Sequence, residues 1–143
     1  MNREAVDLIK LVIGQKGTGK TRRMIEMANA ALKESKGEIV FVNGENRRMI
    51  DLKHQIRFIN VKEFQIKDLK VFYGFLAGMI SRDYDTEYIY IDGLLDIIDD
   101  DLSDIEQFMF QVKRLSDKFK INFIITMNGN PDNVPAFLEQ YIA

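Results

Sequence analysis

Cysteine and tryptophan are absent from this sequence of 143 residues, and it contains two prolines and one histidine. Without cysteine the chain forms neither a disulfide nor a thiolate metal site. No apolar run approaches the roughly 18 residues that a membrane-spanning helix needs. The opening residues, MNREAVDLIK, also lack the apolar core of a secretory signal. The expected location is therefore cytoplasmic, with no membrane contact.

An excess of charge of one sign is also lacking. The 20 basic and 22 acidic side chains give a net charge of −2, which provides no general attraction to nucleic acid or anionic lipid. Apolar residues at 46% and charged residues at 29% are ordinary values for a globular domain. The length suits one hydrophobic core, so we expect a single domain over residues 1–143.

What is present is an alternation of short apolar runs with helical patterns, which is typical of a parallel α/β sheet. The apolar runs predict strands over residues 8–13, 39–43, 57–61, 88–91 and 121–126. The helical patterns predict helices from about residue 21, over 46–55, over 67–81 and over 136–142, and a further helix that begins at a capping box of Ser103 and Glu106 and has an apolar stripe over 105–119. Gly37 is the expected C-terminal cap of the first helix.

The segment GQKGTGKT matches the pattern G-x-x-x-x-G-K-[ST] at every fixed position, with Gly14, Gly19, Lys20 and Thr21. Glycines let consecutive backbone N–H groups point inward and form an anion nest. The helix that follows directs its positive end at the same place. Lys20 is expected to reach the β- and γ-phosphates, and the Thr21 hydroxyl to bind Mg²⁺. The segment therefore predicts binding of a nucleoside triphosphate.

The other residues of this phosphate loop are candidates for the same contact. Gly17 adds backbone freedom, and Lys16 is either a phosphate ligand or a solvated side chain. The set of additional nucleotide-binding candidates is Gln15, Lys16, Gly17, Thr18 and Arg22.

A carboxylate follows the fourth apolar run, where YIYI ends at Asp92. The carboxyl ends of the strands in an open parallel sheet line the ligand crevice, and Mg²⁺ prefers oxygen ligands. We therefore expect Asp92 and Thr21 to hold Mg²⁺ together. The alternative is that Asp92 only caps a turn.

Gly93 follows Asp92, so the adjacent glutamate that many P-loop ATPases use to activate water is missing here. Another acid, Glu45, comes just after the second strand. Four segments in this order, GQKGTGKT, FVNGEN, YIYIDGL and FIITMN, resemble the RecA-like ATPases of the P-loop NTPase class. The resemblance covers about residues 8 to 128.

This resemblance implies a three-layer α/β/α sandwich around a five-stranded, mainly parallel sheet, the P-loop NTPase fold. The implied strand order is third, second, fourth, fifth, first. The strand before the phosphate loop would then form an edge, which the C-terminal segment or a partner chain would cover.

The same resemblance implies Mg²⁺-dependent binding and hydrolysis of a nucleoside triphosphate, with ATP expected. Glu45 would orient and deprotonate the attacking water, and Lys20 would stabilise charge on the phosphates. Thr126 or Asn128 would sense the γ-phosphate. No arginine finger is identifiable from the sequence, and such a finger contributes about 10³ to 10⁵ in rate.

Two other functions stay open. The first is a nucleotide-dependent switch or assembly module with little turnover. The second is a small nucleoside or nucleotide kinase, although no arginine-rich lid occurs between residues 116 and 143. Binding of GTP is disfavoured because residues 127–130 read MNGN and not N-K-x-D.

Charge near the expected site argues against nucleic acid. Seven acids and no base lie between Asp92 and Glu106, and they would repel a phosphate backbone. The basic stretch over residues 47–57 is the one candidate patch and is better explained as a solvated helix face. The expected partner is therefore a nucleoside triphosphate, with a second copy or another protein left open.

Overall fold

The computed structural model describes residues 8–45, 49–98 and 103–142. Its regular elements are β1 (Ile9–Gly14), α1 (Lys20–Ala31), β2 (Glu38–Asn43), β3 (Arg57–Asn60), α2 (Leu69–Arg82), β4 (Thr86–Ile91), α3 (Leu94–Ile97), α4 (Ser103–Phe119) and β5 (Asn122–Asn128). Short 3₁₀ segments cover Met49–Asp51, Val61–Phe64 and Ala136–Tyr141. Among the described residues 8–45, 49–98 and 103–142, no helix has the length and apolar character needed to cross a bilayer.

The five strands form one sheet in the order β1-β5-β4-β2-β3, and every neighbouring pair is parallel. This confirms the order that the family resemblance implied, counted from the opposite edge. The registers align the carboxyl ends of the strands: Gly14 lies opposite Asn128, and Ile91 lies opposite Ile125 and Val42. Residues that follow these strands therefore meet at the end of the sheet where the carboxyl ends of the strands lie.

Helices cover both faces of the sheet, as expected for a parallel sheet whose central strands are mainly apolar. Alternate residues of β2 face opposite layers: Val40 and Val42 pack in the core that contains α2 and α4, whereas Phe41 packs with α1. The rings of Phe72 and Phe108 stack with centroids 5.8 Å apart and join α2 to α4. The three-layer α/β/α sandwich is thereby confirmed.

The C-terminal segment lies along the outer edge of β1. Leu11 and Ile142 form a parallel bridge, and the 3₁₀ segment before it buries Leu138 and Tyr141. Leu11 is completely buried as a result. Of the two expected covers for this edge, the C-terminal segment is the one observed, and the short helix predicted over residues 136–142 is a 3₁₀ helix over Ala136–Tyr141.

The predicted basic helix over residues 46–55 is wrong for the part of it that the structure describes. Residues 46–48 lie outside the described ranges, and the remainder contains only the 3₁₀ turn. The Asn29 side chain on α1 donates to Asp51 O at 3.0 Å and accepts from Lys53 N at 2.9 Å. These two bonds hold the backbone in an irregular path, because they replace the local bonds of a helix.

Gly37 does not cap α1, which ends at Ala31 with Leu32 as its cap. Gly37 instead passes so close to β4 that an added Cβ would lie 1.9 Å from Asp85 O. Its backbone N–H and that of Lys36 both donate to the Glu87 carboxylate. The glycine is therefore required by close packing and not by helix termination.

Three carboxyl groups meet at the amino ends of β2 and β4. Burial raises the pKa of Glu38, and the hydrogen bond and charge of Asp83 raise it further. The hydrogen bond with Asp83 also raises the pKa of Asp85. Hydrogen bonds from Asp85 and Glu38 lower the pKa of Asp83. One carboxylate is thus stabilised by two groups that hold their protons more firmly.

The raised pKa values mean that Glu38 and Asp85 contribute stability that is lost as pH rises through their folded-state values. The lowered pKa of Asp83 has the opposite sign, so its contribution is lost as pH falls. Glu38→Gln removes the negative charge of the ionised side chain and supplies an N–H donor in place of the O–H of the protonated side chain. We expect it to raise the free energy of unfolding at neutral pH, with a smaller gain in mild acid.

Urea unfolding at the two pH values measures this difference. The control is Glu34→Gln, which removes an exposed charge four residues earlier, in the connection between α1 and β2. A Glu38→Gln variant that is less stable than wild type at neutral pH contradicts the expectation.

Candidate functional site

The phosphate loop joins β1 to α1 through two left-handed glycines. Gly17 has φ 85° and Gly19 has φ 84°, a backbone region that other residues enter only at a cost. Thr18 Oγ1 donates to Gln15 O at 2.7 Å and closes the loop. An added Cβ on Gly14 would lie 3.2 Å from that hydroxyl. The glycine spacing read from the sequence therefore produces the strand–loop–helix connection that was predicted.

Lys20 is the first residue of α1, and its side chain folds back over the loop. Its ammonium donates to Gly14 O at 2.9 Å and to Gln15 O at 2.8 Å. Burial lowers the pKa of Lys20, while the charges of Asp92 and Asp96 act in the opposite direction. A cation and the amino end of a helix thus lie together, and this combination attracts anions.

Asp92 follows β4 and is the centre of a polar cluster. Its Oδ2 accepts from Thr21 Oγ1 and from Asn43 Nδ2, both at 2.8 Å. Its Oδ1 accepts from Thr126 Oγ1 at 2.9 Å. The carboxylate is only 6% exposed, and these three donors satisfy a charge that would otherwise be costly to bury. The cluster connects α1 with the carboxyl ends of β2, β4 and β5.

Thr126 is buried, and its hydroxyl serves two partners. It donates to Asp92 and accepts from Gly93 N at 2.7 Å. In this arrangement Thr126 positions Asp92, so any effect on a phosphate would pass through that carboxylate. Its expected role as a γ-phosphate sensor stays a prediction.

Asn128, the alternative sensor, lies nearer the loop. It is opposite Gly14 in the β1–β5 register, and the next residue, Gly129, donates its N–H to Gly14 O at 3.0 Å. The Asn128 side chain is partly buried, and its Nδ2 lies 3.5 Å from Asp96 Oδ2.

Glu45 is exposed at the rim of this region. Its backbone N–H donates to the Asn43 side-chain carbonyl, and Asn43 in turn donates to Asp92. Glu45 is therefore anchored to the cluster through its main chain. Its role as the residue that activates water stays a prediction.

The remaining loop candidates differ in environment. Gln15 and Thr18 line a cleft of about 400 Å³ together with Lys20, Arg23 and Asp132. Lys16 and Gly17 are exposed. Arg22 lies on the exposed surface of α1 with its Nε 3.7 Å from Glu26. Arg23, and not Arg22, is the arginine that borders the loop.

Two residues near the site were missed in the sequence. Asn43 contacts Asp92 directly, and a polar residue at the carboxyl end of a strand was the available signal. Asp96 was counted only as part of an acidic run, because its position depends on how the chain turns after Gly93.

The oxygen atoms of the cluster fit a magnesium ion. Thr21 Oγ1 and Asp92 Oδ2 offer a hydroxyl and a carboxylate 2.8 Å apart, the hard ligands that Mg²⁺ prefers. Across residues 8–45, 49–98 and 103–142, no group of three or more His, Cys, Asp or Glu could hold a metal ion. An ion at Thr21 and Asp92 would therefore take its other ligands from water and phosphate.

Comparison with known proteins identifies the fold but no family. No family model and no curated protein matches this sequence. Among solved structures, the flagellar accessory protein FlaH from Methanocaldococcus jannaschii is similar, with a TM-score of 0.52 and 16% sequence identity. The match covers 91% of this chain and 64% of the FlaH chain, so the chain spans less than two thirds of that neighbour.

The chain has a RecA-like fold. At this level of identity the similarity establishes the fold alone, and the chemistry of the site has to be argued from its residues.

The double hydrogen bond of Thr126 can be tested in the nucleotide-free chain. Thr126→Val keeps the shape of the side chain but leaves Asp92 Oδ1 and Gly93 N each without one partner. We expect a loss of about 1–3 kcal/mol in the free energy of unfolding, the usual cost of an unsatisfied buried polar group. Thr126→Ser, which retains the hydroxyl, is the control in urea unfolding. Equal stability of the two variants would show that the hydroxyl contributes nothing.

Proposed function

We propose that this chain binds a nucleoside triphosphate with Mg²⁺ and hydrolyses it slowly, as a minimal single-domain RecA-like ATPase with ATP as the expected substrate. The observation that carries the proposal is the contact of 2.8 Å between Thr21 Oγ1 and Asp92 Oδ2. It joins the helix behind the phosphate loop to the carboxyl end of β4. A P-loop protein needs these two oxygens side by side to hold magnesium.

Phosphate binding is assigned to the loop from Gly14 to Thr21. Its backbone N–H groups supply the anion nest, and the left-handed Gly17 and Gly19 support the curvature that such a nest requires. The Lys20 ammonium exchanges its two loop carbonyls for oxygens of the β- and γ-phosphates. That exchange replaces neutral acceptors with charged ones, which form stronger hydrogen bonds.

Magnesium binding is assigned to Thr21 and Asp92, with Asn43 and Thr126 as supporting residues. The two supporting side chains donate to the Asp92 carboxylate and fix its orientation. Partners of this kind typically influence metal affinity by about 10- to 100-fold. Bound magnesium supplies charge neutralisation on the β- and γ-phosphates.

Hydrolysis requires a group that orients water, and Glu45 is the candidate that the family resemblance supplies. Hydrolysis is also faster when a cation stabilises the negative charge that develops on the phosphates in the transition state. The Arg22 side chain is exposed and close to Glu26, and Arg23 lines the cleft beside the phosphate loop. Neither arginine is assigned to the γ-phosphate, so we expect slow turnover by the isolated chain. An arginine from a second copy or from another protein would raise the rate.

The exposed position of Arg22 beside Glu26 also favours a second function, a nucleotide-dependent switch with negligible turnover. Phosphate release by the wild-type chain separates the two functions. Release above the rate of a Lys20→Ala chain supports the ATPase, and binding without release supports the switch.

Lys20→Ala tests nucleotide binding itself. Hydrogen bonds to charged groups contribute about 1.5–3 kcal/mol, so affinity for Mg²⁺–ATP should fall by about 10- to 150-fold. Fluorescence of a labelled nucleotide and the thermal shift that ATP produces both measure the loss.

The matched control is Lys33→Ala, which removes an exposed lysine just after α1, at the opposite end of that helix. A thermal shift with ATP that is the same for Lys20→Ala and wild type contradicts the proposed function.

A further inference from the structure

A second carboxylate, that of Asp96, lies near the phosphate loop. Gly93 has φ 74° and turns the chain sharply after Asp92. Asp96 N then donates to Gly93 O at 2.9 Å in the first turn of α3. An added Cβ on Gly93 would lie 3.0 Å from Asp96 Oδ2. The glycine therefore both makes the turn and leaves space for the carboxylate.

Two groups at the phosphate loop lie close to this carboxylate. Asn128 Nδ2 lies 3.5 Å from Asp96 Oδ2, and Asn128 is opposite Gly14 at the start of the loop. The charge of Asp96 also acts on the Lys20 ammonium. A carboxylate, an amide and a cation are therefore grouped beside the loop, where we expect the end of a bound polyphosphate.

The other two acids of the region are less suited to activate water. Both oxygens of Asp92 already accept hydrogen bonds, and the residue is 6% exposed. Glu45 follows β2, which lies three strand positions from β1, whereas Asp96 follows β4, which lies two positions from β1, and its side chain is near Asn128 on the adjacent strand β5. At about 4.8 Å per strand, β2, β4 and β5 lie about 14 Å, about 10 Å and about 5 Å from β1. Asp96 is exposed and accessible to water.

We propose that Asp96, and not Glu45, is the carboxylate that orients and deprotonates the attacking water, and that Asn128 holds it in position. The inference rests on the proposed function, since it requires a triphosphate in the loop. It departs from what the family resemblance implied for this chain.

The step is a displacement at the γ-phosphorus. The water oxygen forms a bond to phosphorus while its proton passes to Asp96. The bond between phosphorus and the β,γ-bridging oxygen breaks, and its electron pair remains on the diphosphate, where Lys20 stabilises the charge. Asp96 then releases the proton to solvent, which leaves diphosphate and inorganic phosphate as products.

Binding provides the first test, without any turnover. A carboxylate that faces the γ-phosphate repels it, so Asp96→Asn should bind a non-hydrolysable ATP analogue with Mg²⁺ several-fold more tightly than wild type does. ADP has no γ-phosphate, so its affinity should change much less. The ratio of the two dissociation constants is the readout. An unchanged ratio overturns the inference.

Phosphate release provides the second test. A general base contributes about 10² to 10⁴ in rate, so kcat for Asp96→Asn should fall by about that factor while Glu45→Gln stays near wild type. The control with the same chemistry is Asp117→Asn, at the far end of α4, which removes an exposed charge paired with Lys113. A slow Glu45→Gln chain beside an active Asp96→Asn chain overturns the inference.

The two proposals fail in different ways. A chain that binds neither nucleotide contradicts the proposed function itself. A chain that binds both nucleotides, but whose preference is unaffected by Asp96→Asn, contradicts only the role of Asp96. When wild-type turnover is too slow to measure, the ratio of dissociation constants decides.

Discussion

The Asp92 carboxylate accepts hydrogen bonds from Thr21, Asn43 and Thr126, which come from three different elements. A buried charge is tolerated only when its lone pairs are satisfied, so the positions of these elements are interdependent. Through Thr21 the cluster fixes the start of α1, and through Asn43 and Thr126 it fixes the ends of β2 and β5. The proposed magnesium site is therefore also a structural junction of the sheet.

One ammonium and two carboxylates carry the charge around this junction. Lys20 lies on two loop carbonyls under the influence of Asp92 and Asp96. An arriving polyphosphate with magnesium would bring negative and positive charge to the same place, so the buried carboxylate and the ammonium would each gain a partner. The acidic run after β4, which argues against nucleic acid, includes Asp92 and Asp96, the two aspartates whose charges act on Lys20.

The strands and the glycine turn between β1 and α1 could be predicted because their signals are local. Four-residue apolar runs such as the one before Asp92 have few alternatives in a parallel sheet, and glycines at left-handed positions have a direct conformational cause. The basic stretch before β3 was predicted as a helix because its composition permits one. Asn29, more than 20 residues earlier, binds its backbone instead, and no local pattern reports such a contact. Gly37 was misjudged for the same reason, since β4 determines its packing.

By itself the sequence determined the class of fold, and it predicted the loop that is proposed to receive phosphate and the two residues that are expected to hold magnesium. These conclusions rest on the spacing of residues along the chain, and a short segment contains all of that information. Only the tertiary structure decided what surrounds them: that Asn43 joins Asp92, that Thr126 faces inward, that Arg22 lies beside Glu26 and that Asp96 approaches Asn128. Each of these contacts depends on strand order and on the turn at Gly93, which bring together side chains far apart in the sequence or determine where a side chain points.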